Sequence, residues 1–345
     1  MNHNEFFSSL KSGQLHPCYL FEGEEEFTKA SALKAIREHV ASGDFAAMND
    51  TRLVDPAPDA LIAAAETLPF LSDRRFIEVR DSAMLLSGKA KEYDEDIAVR
   101  RLDEYLDHLP DTSVIVFYVR GKADARKKLY QCLKKKAQLV SFQPLADQEL
   151  TRWIAATLKK QGKKISASAC QQLWFTVGKD MTLLYQEIGK LTAYAGDADT
   201  VTERDIAAIC VQSTEYKVFD MLDILLSGQG GKAMRMQEAL LRDGEERLMI
   251  LSLLGRQCRQ MCYAKALAAD GAQPYEIANK TGAPSFAVQK LLNAARAYSL
   301  SQLKQIAQLC LDTEYLVKSG QLNEAGSLEA VTLQILSMRE ANRYG

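Results

Sequence analysis

The chain has 345 residues, of which 47% are hydrophobic and 26% charged, and its formal net charge is −2. This composition is typical of a globular protein, and the length suffices for two or three domains with separate cores. A net charge near zero argues against a protein that coats nucleic acid by charge alone. Neither a bilayer-length apolar run nor a leader pattern is visible, so we expect a cytoplasmic protein without membrane contact.

Residues 1–143 alternate short apolar runs with helical patterns. Runs rich in Val, Ile, Phe and Tyr predict strands at Cys18–Glu22, Arg75–Val79, Ser113–Val119 and Leu139–Phe142. Nearly continuous hydrophobicity is expected of strands that are covered on both faces. The spacing of apolar residues in Lys29–Val40 predicts a helix between the first two runs. This alternation predicts a parallel sheet covered by helices.

The first predicted strand leads into the frame of a phosphate-binding loop, G-x-x-x-x-G-K-[ST]. Gly23 and Lys29 occupy the first glycine and the lysine positions. Thr28 replaces the second glycine, and Ala30 replaces the magnesium-binding hydroxyl residue. The carboxylates of Glu24–Glu26 repel a nucleotide, although acidic residues also suit the start of a helix. The sequence therefore predicts an ATPase-type fold that has lost its nucleotide site and uses no cofactor.

The strand pattern ends at Pro144, and helical patterns continue to the end of the chain. Predicted helices in the first part of this region are Leu150–Leu158, Ser166–Val177 and Met181–Tyr194. Thr202 and Asp205 have the spacing of a capping box that opens one more short helix. The predicted fold class is α/β plus all-α. We divide the chain into a parallel-sheet domain at 1–143, a small helical domain at 144–211 and a helical domain at 212–345.

No catalytic centre or metal site is visible in the sequence. Of the seven cysteines, only Cys258 and Cys262 are close together, and a single C-x3-C pair is a poor zinc signature. Their helical spacing favours buried core thiols. The four histidines have no ligand spacing. We therefore predict a protein that works by binding rather than by catalysis.

Several longer segments together resemble the delta subunit family of the bacterial DNA polymerase III clamp loader, an AAA+-like family. These segments are PCYLFEGEEEF (17–27), LPFLSDRRFIEVRD (68–81), GKADARKKLYQCLKKKA (121–137), VGKDMTLLYQEIGKL (177–191) and DTEYLVKSGQ (312–321). The resemblance implies an AAA+-like domain with a helical lid, followed by a helical collar. It also implies a non-catalytic holoenzyme subunit that joins ATPase and delta-prime subunits in a hetero-pentamer. Its function there would be to bind and open the sliding clamp for loading onto primed DNA.

The clamp-binding segment of that family corresponds to Leu68, Pro69, Phe70 and Leu71 in this sequence. The resemblance implies an exposed hydrophobic plug, with Phe70 as its anchor, that enters a pocket on the clamp. An aromatic anchor of this kind can contribute about 2 kcal/mol or more to binding. We expect Pro69 to stiffen the loop. Taken alone, these side chains favour packing beneath the sheet, and it is the resemblance that favours the plug, most strongly for Phe70. Either leucine could partner Phe70.

A basic run is a candidate contact for DNA or for a neighbouring subunit. Its members include Arg126, Lys127, Lys128, Lys134 and Lys135. The leucines of this run mark one inward face, so we predict a helix with mostly solvated charges. Any contact with DNA here would be non-specific and sensitive to salt.

Tyr275–Tyr298 has the rhythm of a helix-turn-helix, with Gly282 at the turn. Its second helix offers few side chains suited to reading base edges, which favours a packed helical pair over DNA recognition. The functions that compete with the clamp-loader interpretation are therefore an active AAA+ ATPase and a helix-turn-helix DNA-binding protein.

Overall fold

The computed structural model describes residues 1–88, 94–283 and 285–344. The chain forms two compact units, Met1–Leu145 and Ala146–Gly345. The first is a parallel sheet with helices and the second is mainly helical, which confirms the predicted fold class. The further boundary at residue 211 stays a prediction.

The first unit alternates strands and helices. Its elements are α1 His3–Lys11, β1 Cys18–Glu22, α2 Glu26–Val40, a 3-10 helix Ala46–Met48, β2 Asp50–Val54, α3 Pro58–Glu66, β3 Arg75–Arg80, α4 Glu95–Leu106, β4 Ser113–Tyr118, α5 Lys128–Lys136 and β5 Gln138–Ser141. Within the described residues, these strands form one parallel sheet in the order β2-β3-β4-β1-β5. In this register Leu20 of β1 lies opposite Phe117 of β4 and Leu139 of β5.

Helices cover both faces of this sheet. Leu20, Ile77 and Phe117 face one hydrophobic core, which includes residues of α3, α4 and α5. Phe21 and Phe76 face a second core, which includes residues of α1 and α2. This two-sided burial explains why the strands are nearly continuous in hydrophobicity.

The structure confirms the four predicted strands to within one residue at each end and adds a strand that the sequence did not predict. That strand, β2, lies at the edge of the sheet, where it pairs with β3. Its side chains are at least partly exposed, so the sequence DTRLV lacks an apolar run. The helix expected at Lys29–Val40 begins earlier, at Glu26, because the Glu25 carboxylate accepts a hydrogen bond from the Phe27 N–H (3.1 Å).

The strand order places a topological switch point at the carboxyl ends of β1 and β4. The chain leaves β1 towards β2, whereas it leaves β4 in the opposite direction, past β1, to reach β5. Open α/β sheets bind their ligands at such a switch point. The loop after β1, residues 23–25, and the segment after β4, residues 119–123, meet here through paired backbone groups of Gly23 and Gly121.

The second unit is built mainly from helices. Its elements are α6 Asp147–Lys160, β6 Lys164–Ile165, α7 Ala167–Val177, α8 Met181–Ala195, β7 Thr200–Val201, α9 Glu203–Ile209, α10 Thr214–Leu226, α11 Gly230–Arg242, α12 Arg247–Ala269, α13 Pro274–Thr281, α14 Ser285–Ala295, α15 Leu300–Lys318 and α16 Ser327–Tyr344. The predicted helices are confirmed, as is the Thr202–Asp205 capping box at the start of α9. The short parallel pair of β6 and β7 corrects the expectation of a purely helical region, since two-residue strands have no readable period.

Buried apolar residues form the interior of the second unit. Leu251, Leu254 and Cys258 of α12 are fully buried, whereas Cys262 is partly exposed. The described residues contain no group of three or more side chains placed to hold a metal ion. Among the helices described, none has both the length and the apolar character needed to cross a membrane.

Candidate functional site

The loop between α3 and β3 presents large apolar side chains to solvent. The exposed fractions are 77% for Leu68, 48% for Phe70 and 73% for Leu71, while Pro69 is partly buried. These side chains therefore do not pack beneath the sheet. Clustered exposed apolar residues commonly mark an interaction surface.

The backbone of this loop is held by the buried side chain of Asn49, which precedes β2. The Phe70 N–H donates to Oδ1 of Asn49 (2.7 Å), and Nδ2 of Asn49 donates to the Phe70 carbonyl (2.9 Å). Nδ2 also donates to the Phe45 carbonyl at 3.3 Å. One amide side chain thus binds both backbone groups of the half-exposed phenylalanine.

A buried arginine supports the start of the same loop. Nη1 of Arg75 donates to the Thr67 carbonyl (3.1 Å), and Nη2 donates to the Thr51 hydroxyl (2.8 Å). Leu71 has a φ of +47°, in the left-handed region that is uncommon for residues other than glycine. Backbone strain of about 1 kcal/mol persists only where the surroundings fix it. Buried side chains therefore bond the backbone of the loop while its apolar side chains stay exposed.

Phe45 extends the apolar surface beside the loop. Its ring meets the Phe70 ring edge to face, with centroids 5.3 Å apart, and 39% of Phe45 is exposed. Sequence reasoning missed Phe45, Asn49 and Arg75 as parts of this site. The available signal was weak, because Phe45 and Asn49 precede β2, a strand without an apolar run, and Arg75 is simply the first residue of β3.

Lys29, which holds the lysine position of the phosphate-loop frame, is completely buried. Its Nζ donates to the carbonyl oxygens of Gly23 and Val119, both at 2.7 Å, and to Oε1 of Glu26 at 2.6 Å. An ammonium group has three N–H donors, so these partners use all of them. The lysine thus joins the loop after β1 to the end of β4, at the place where a nucleotide would bind in an intact phosphate loop.

Glu26 also joins the start of α2 to the end of β4. Its carboxylate also accepts hydrogen bonds from the Tyr118 hydroxyl (2.7 Å) and from the Gly121 N–H (3.1 Å). Burial alone would raise the pKa of Glu26, but these bonds and the Lys29 ammonium outweigh it and lower the pKa. Burial, reinforced by Glu26, raises the pKa of the Tyr118 hydroxyl well above its usual value. Glu26 is therefore charged at neutral pH.

Gly23, Thr28 and Ala30 hold the other positions of the phosphate-loop frame. Gly23 has a φ of +126°, and a Cβ built on it would lie 2.0 Å from the Phe142 carbonyl oxygen. This glycine is thus required by close backbone packing inside the protein. Thr28 is buried and Ala30 is exposed. The chain thus keeps the glycine and lysine positions of a phosphate loop, but the lysine bonds the protein backbone.

Most of the basic run lies on α5 and the turn before it. Some of its cations pair with carboxylates: Arg126 with Asp124 at 2.9 Å, Lys127 with Glu95 at 3.4 Å and Lys128 with Asp96 at 2.7 Å. Lys134 and Lys135 are exposed. Contact of these residues with DNA or a neighbouring subunit stays a prediction.

The segment with helix-turn-helix rhythm forms α13 and α14. Val288 and Leu291 of α14 are fully buried. Lys290 lies 3.4 Å from the Asp220 carboxylate and its Nζ stands 5.0 Å from the centre of the Phe219 ring, both in α10. Because α14 packs its apolar face and engages its lysine within the unit, the geometry favours a structural helical pair.

The first unit combines a parallel sheet and a phosphate-loop frame with a lysine that is bound internally, and a helical unit follows. This combination defines an AAA+-like protein whose phosphate-loop lysine is bonded within the chain. Two family models match the chain: DNA polymerase III, delta subunit, over residues 19–143, and DNA polymerase III delta subunit, C-terminal domain, over residues 215–335. The chain belongs to the delta subunit family of DNA polymerase III.

Known relatives agree with this assignment. The DNA polymerase III subunit delta of Bacillus subtilis (strain 168) is 28% identical over 341 residues, which are 98% of either chain. The corresponding subunit of Escherichia coli (strain K12) is 24% identical over 216 residues, covering 59% of this chain and 60% of that one. The solved structure of a Bacillus subtilis DNA clamp loader delta protein matches 97% of this chain and 99% of its own, with a TM-score of 0.54 and 27% identity. The protein is accordingly a clamp-loader component that works in a complex with other clamp-loader subunits.

Proposed function

We propose that this delta subunit binds the sliding clamp through the loop Leu68–Leu71 and opens the ring for loading onto primed DNA. The observation that carries the proposal is the exposure of Leu68, Phe70 and Leu71 on a loop whose backbone is fixed by buried Asn49 and Arg75. A loop held in advance loses little conformational entropy on binding, so more of the hydrophobic contact energy appears as affinity.

Opening follows from a difference in affinity between two states of the clamp. If the loop binds the clamp better when one ring interface is strained or open, it shifts the population towards the open ring by that difference. The proposed partners are the sliding clamp, the ATPase and delta-prime subunits of a hetero-pentamer, and primed DNA inside the complex. Residues 212–345 would form the collar that holds the pentamer together. Because these partners act on the chromosome, we propose a cytoplasmic location.

The test of this function is clamp binding by the full chain and by Phe70→Ala, measured by surface plasmon resonance. We expect the wild type to bind and the variant to bind at least tenfold more weakly, a loss of about 1.4 kcal/mol. Tyr194→Ala is a matched control because Tyr194 is an aromatic residue of α8 with 56% exposure. Circular dichroism checks that each variant is folded.

The outcomes separate the site from the function. Binding that Phe70→Ala leaves unchanged would move the site elsewhere, and a folded wild type that does not bind would remove the proposal. Leu68→Ala and Leu71→Ala, tested in the same way, identify the leucine that acts with Phe70, since both are largely exposed.

We also propose that the subunit does not hydrolyse ATP. Two observations support this proposal. All three N–H donors of the Lys29 ammonium bond partners within the chain, and the Glu26 carboxylate lies where a phosphate would bind. We therefore expect no heat of ATP binding to the isolated chain with magnesium in isothermal titration calorimetry. Tight ATP binding would contradict this prediction and favour the competing ATPase function.

A further inference from the structure

We infer that Asn49 is the positioning residue of the clamp-binding loop, through its hydrogen bonds to the backbone of Phe70; this inference rests on the proposed function. Asn49 is completely buried, yet it is separated in sequence from the loop by a strand and a helix. Its main chain is tied to the sheet, because the Phe76 N–H donates to the Asn49 carbonyl (2.7 Å). Because the main chain of Asn49 is fixed, its side chain can hold the Phe70 backbone at a fixed place relative to the sheet.

The chemistry of an amide matches this task and that of a carboxylate does not. Oδ1 accepts from the Phe70 N–H, while Nδ2 donates to the carbonyl oxygens of Phe70 and Phe45. An aspartate has nearly the same shape, but it would place a second oxygen against these two carbonyls, with no hydrogen to share. Asparagine therefore holds the two phenylalanines in one arrangement, with their rings edge to face.

Loss of this amide should loosen the loop more than it unfolds the sheet. The side chains of the loop are exposed, so water can reach Phe70 and replace part of the lost bonding. The left-handed conformation of Leu71 would then be free to relax, since one of its supports is gone. Clamp binding would have to order the loop again, which lowers affinity without any change in the contacting side chains.

The experiment is a double-mutant cycle on the full chain, read by surface plasmon resonance with the sliding clamp. We expect Asn49→Ala to weaken binding about five- to tenfold, and Asn49→Asp to weaken it at least as much. In the Phe70→Ala background, we expect Asn49→Ala to weaken binding by a smaller factor than in the wild type, because the ring that the fixed backbone presents is already gone and only the leucines still depend on the loop conformation. A structural effect unrelated to the loop would reduce binding equally in both backgrounds.

Hydrogen exchange gives a readout that is independent of the clamp. In Asn49→Ala the Phe70 amide should exchange faster, whereas the Phe76 amide, bonded to the main chain of Asn49, should stay protected. Asn2→Ala is the matched control, since Asn2 caps α1 and is paired with β5, at the sheet edge opposite β2. It removes an asparagine hydrogen bond and should leave both clamp binding and Phe70 exchange unchanged.

Each outcome decides one of the two claims. Wild-type binding that weakens in Phe70→Ala but not in Asn49→Ala overturns the role of Asn49 and keeps the proposed function. Equal effects of Asn49→Ala in both backgrounds, or unchanged exchange at Phe70, also overturn it. A folded wild type that does not bind the clamp overturns the proposed function and, with it, the positioning role.

Discussion

Replacing Glu78 with glutamine should lower the free energy of unfolding by about 3 kcal/mol, because it removes the buried anion that the neighbouring arginines share. Glu78 lies on β3, is completely buried, and accepts hydrogen bonds from Arg37 and Arg80. The Nε atom of Arg52 also lies 3.8 Å from Oε1 of Glu78. Glutamine keeps the shape but not the charge, so these guanidinium groups would face each other across a neutral amide. The three arginines reach solvent in part, which keeps the loss at the lower end of the range for buried pairs.

Urea denaturation followed by circular dichroism measures this effect. The matched control is Glu38→Gln on α2, because Glu38 pairs with Lys34 at 3.7 Å and both side chains are mostly exposed. That change should stay within about 0.5 kcal/mol. If Glu78→Gln altered stability as little as the control, the arginines would be satisfied by solvent and the buried pair would not support the sheet.

The predictable part of the fold is the part that is buried on two sides. β1, β3, β4 and β5 were found from apolar runs because helices cover both faces of the sheet. β2 escaped because it lies at the edge and exposes part of each side chain. Hydrophobic pattern reports burial, so a strand with little burial gives little signal.

The exposed loop could not be derived from its own residues. Leu68, Phe70 and Leu71 have the chemistry of a core segment, and the family resemblance alone indicated a plug. What holds them outside is Asn49, 21 residues before Phe70, and the buried guanidinium of Arg75. Contacts between distant segments leave no period in the sequence.

The phosphate loop shows a related limit. From the sequence, Thr28 and Ala30 are predicted to be unsuited to a nucleotide. Nothing in the sequence indicated that Lys29 bonds the carbonyl of Val119, 90 residues further along the chain. In this structure the lysine bonds two backbone carbonyls and Glu26.

Replacing Lys29 with methionine should therefore lower the free energy of unfolding by about 3 kcal/mol. Methionine fills a similar space but leaves the buried carbonyls of Gly23 and Val119 without a donor. Each unsatisfied group costs about 1 kcal/mol or more, and Glu26 loses its ion pair. Lys122→Met is the matched control, since Lys122 pairs with Glu24 at 3.2 Å and both side chains are about 60% exposed. We expect that control to stay within about 0.5 kcal/mol.

The pH dependence of the free energy of unfolding shows whether Lys29 stabilises the fold through its ion pair with Glu26 or only by filling space. The folded pKa of Glu26 lies below its ordinary value of 4.5, so the carboxylate stabilises the fold above that pH, and the contribution is lost as the pH falls through the folded pKa. Without Lys29, the pKa of Glu26 should rise towards or above 4.5 and this acid-side loss should shrink. Urea denaturation at neutral pH and at several acidic values measures both effects. The opposite result is a free energy of unfolding of Lys29→Met that falls with pH as steeply as that of the wild type. That result would mean that Tyr118 and Gly121 alone lower the pKa of Glu26, and that its ion pair with Lys29 does not stabilise the fold.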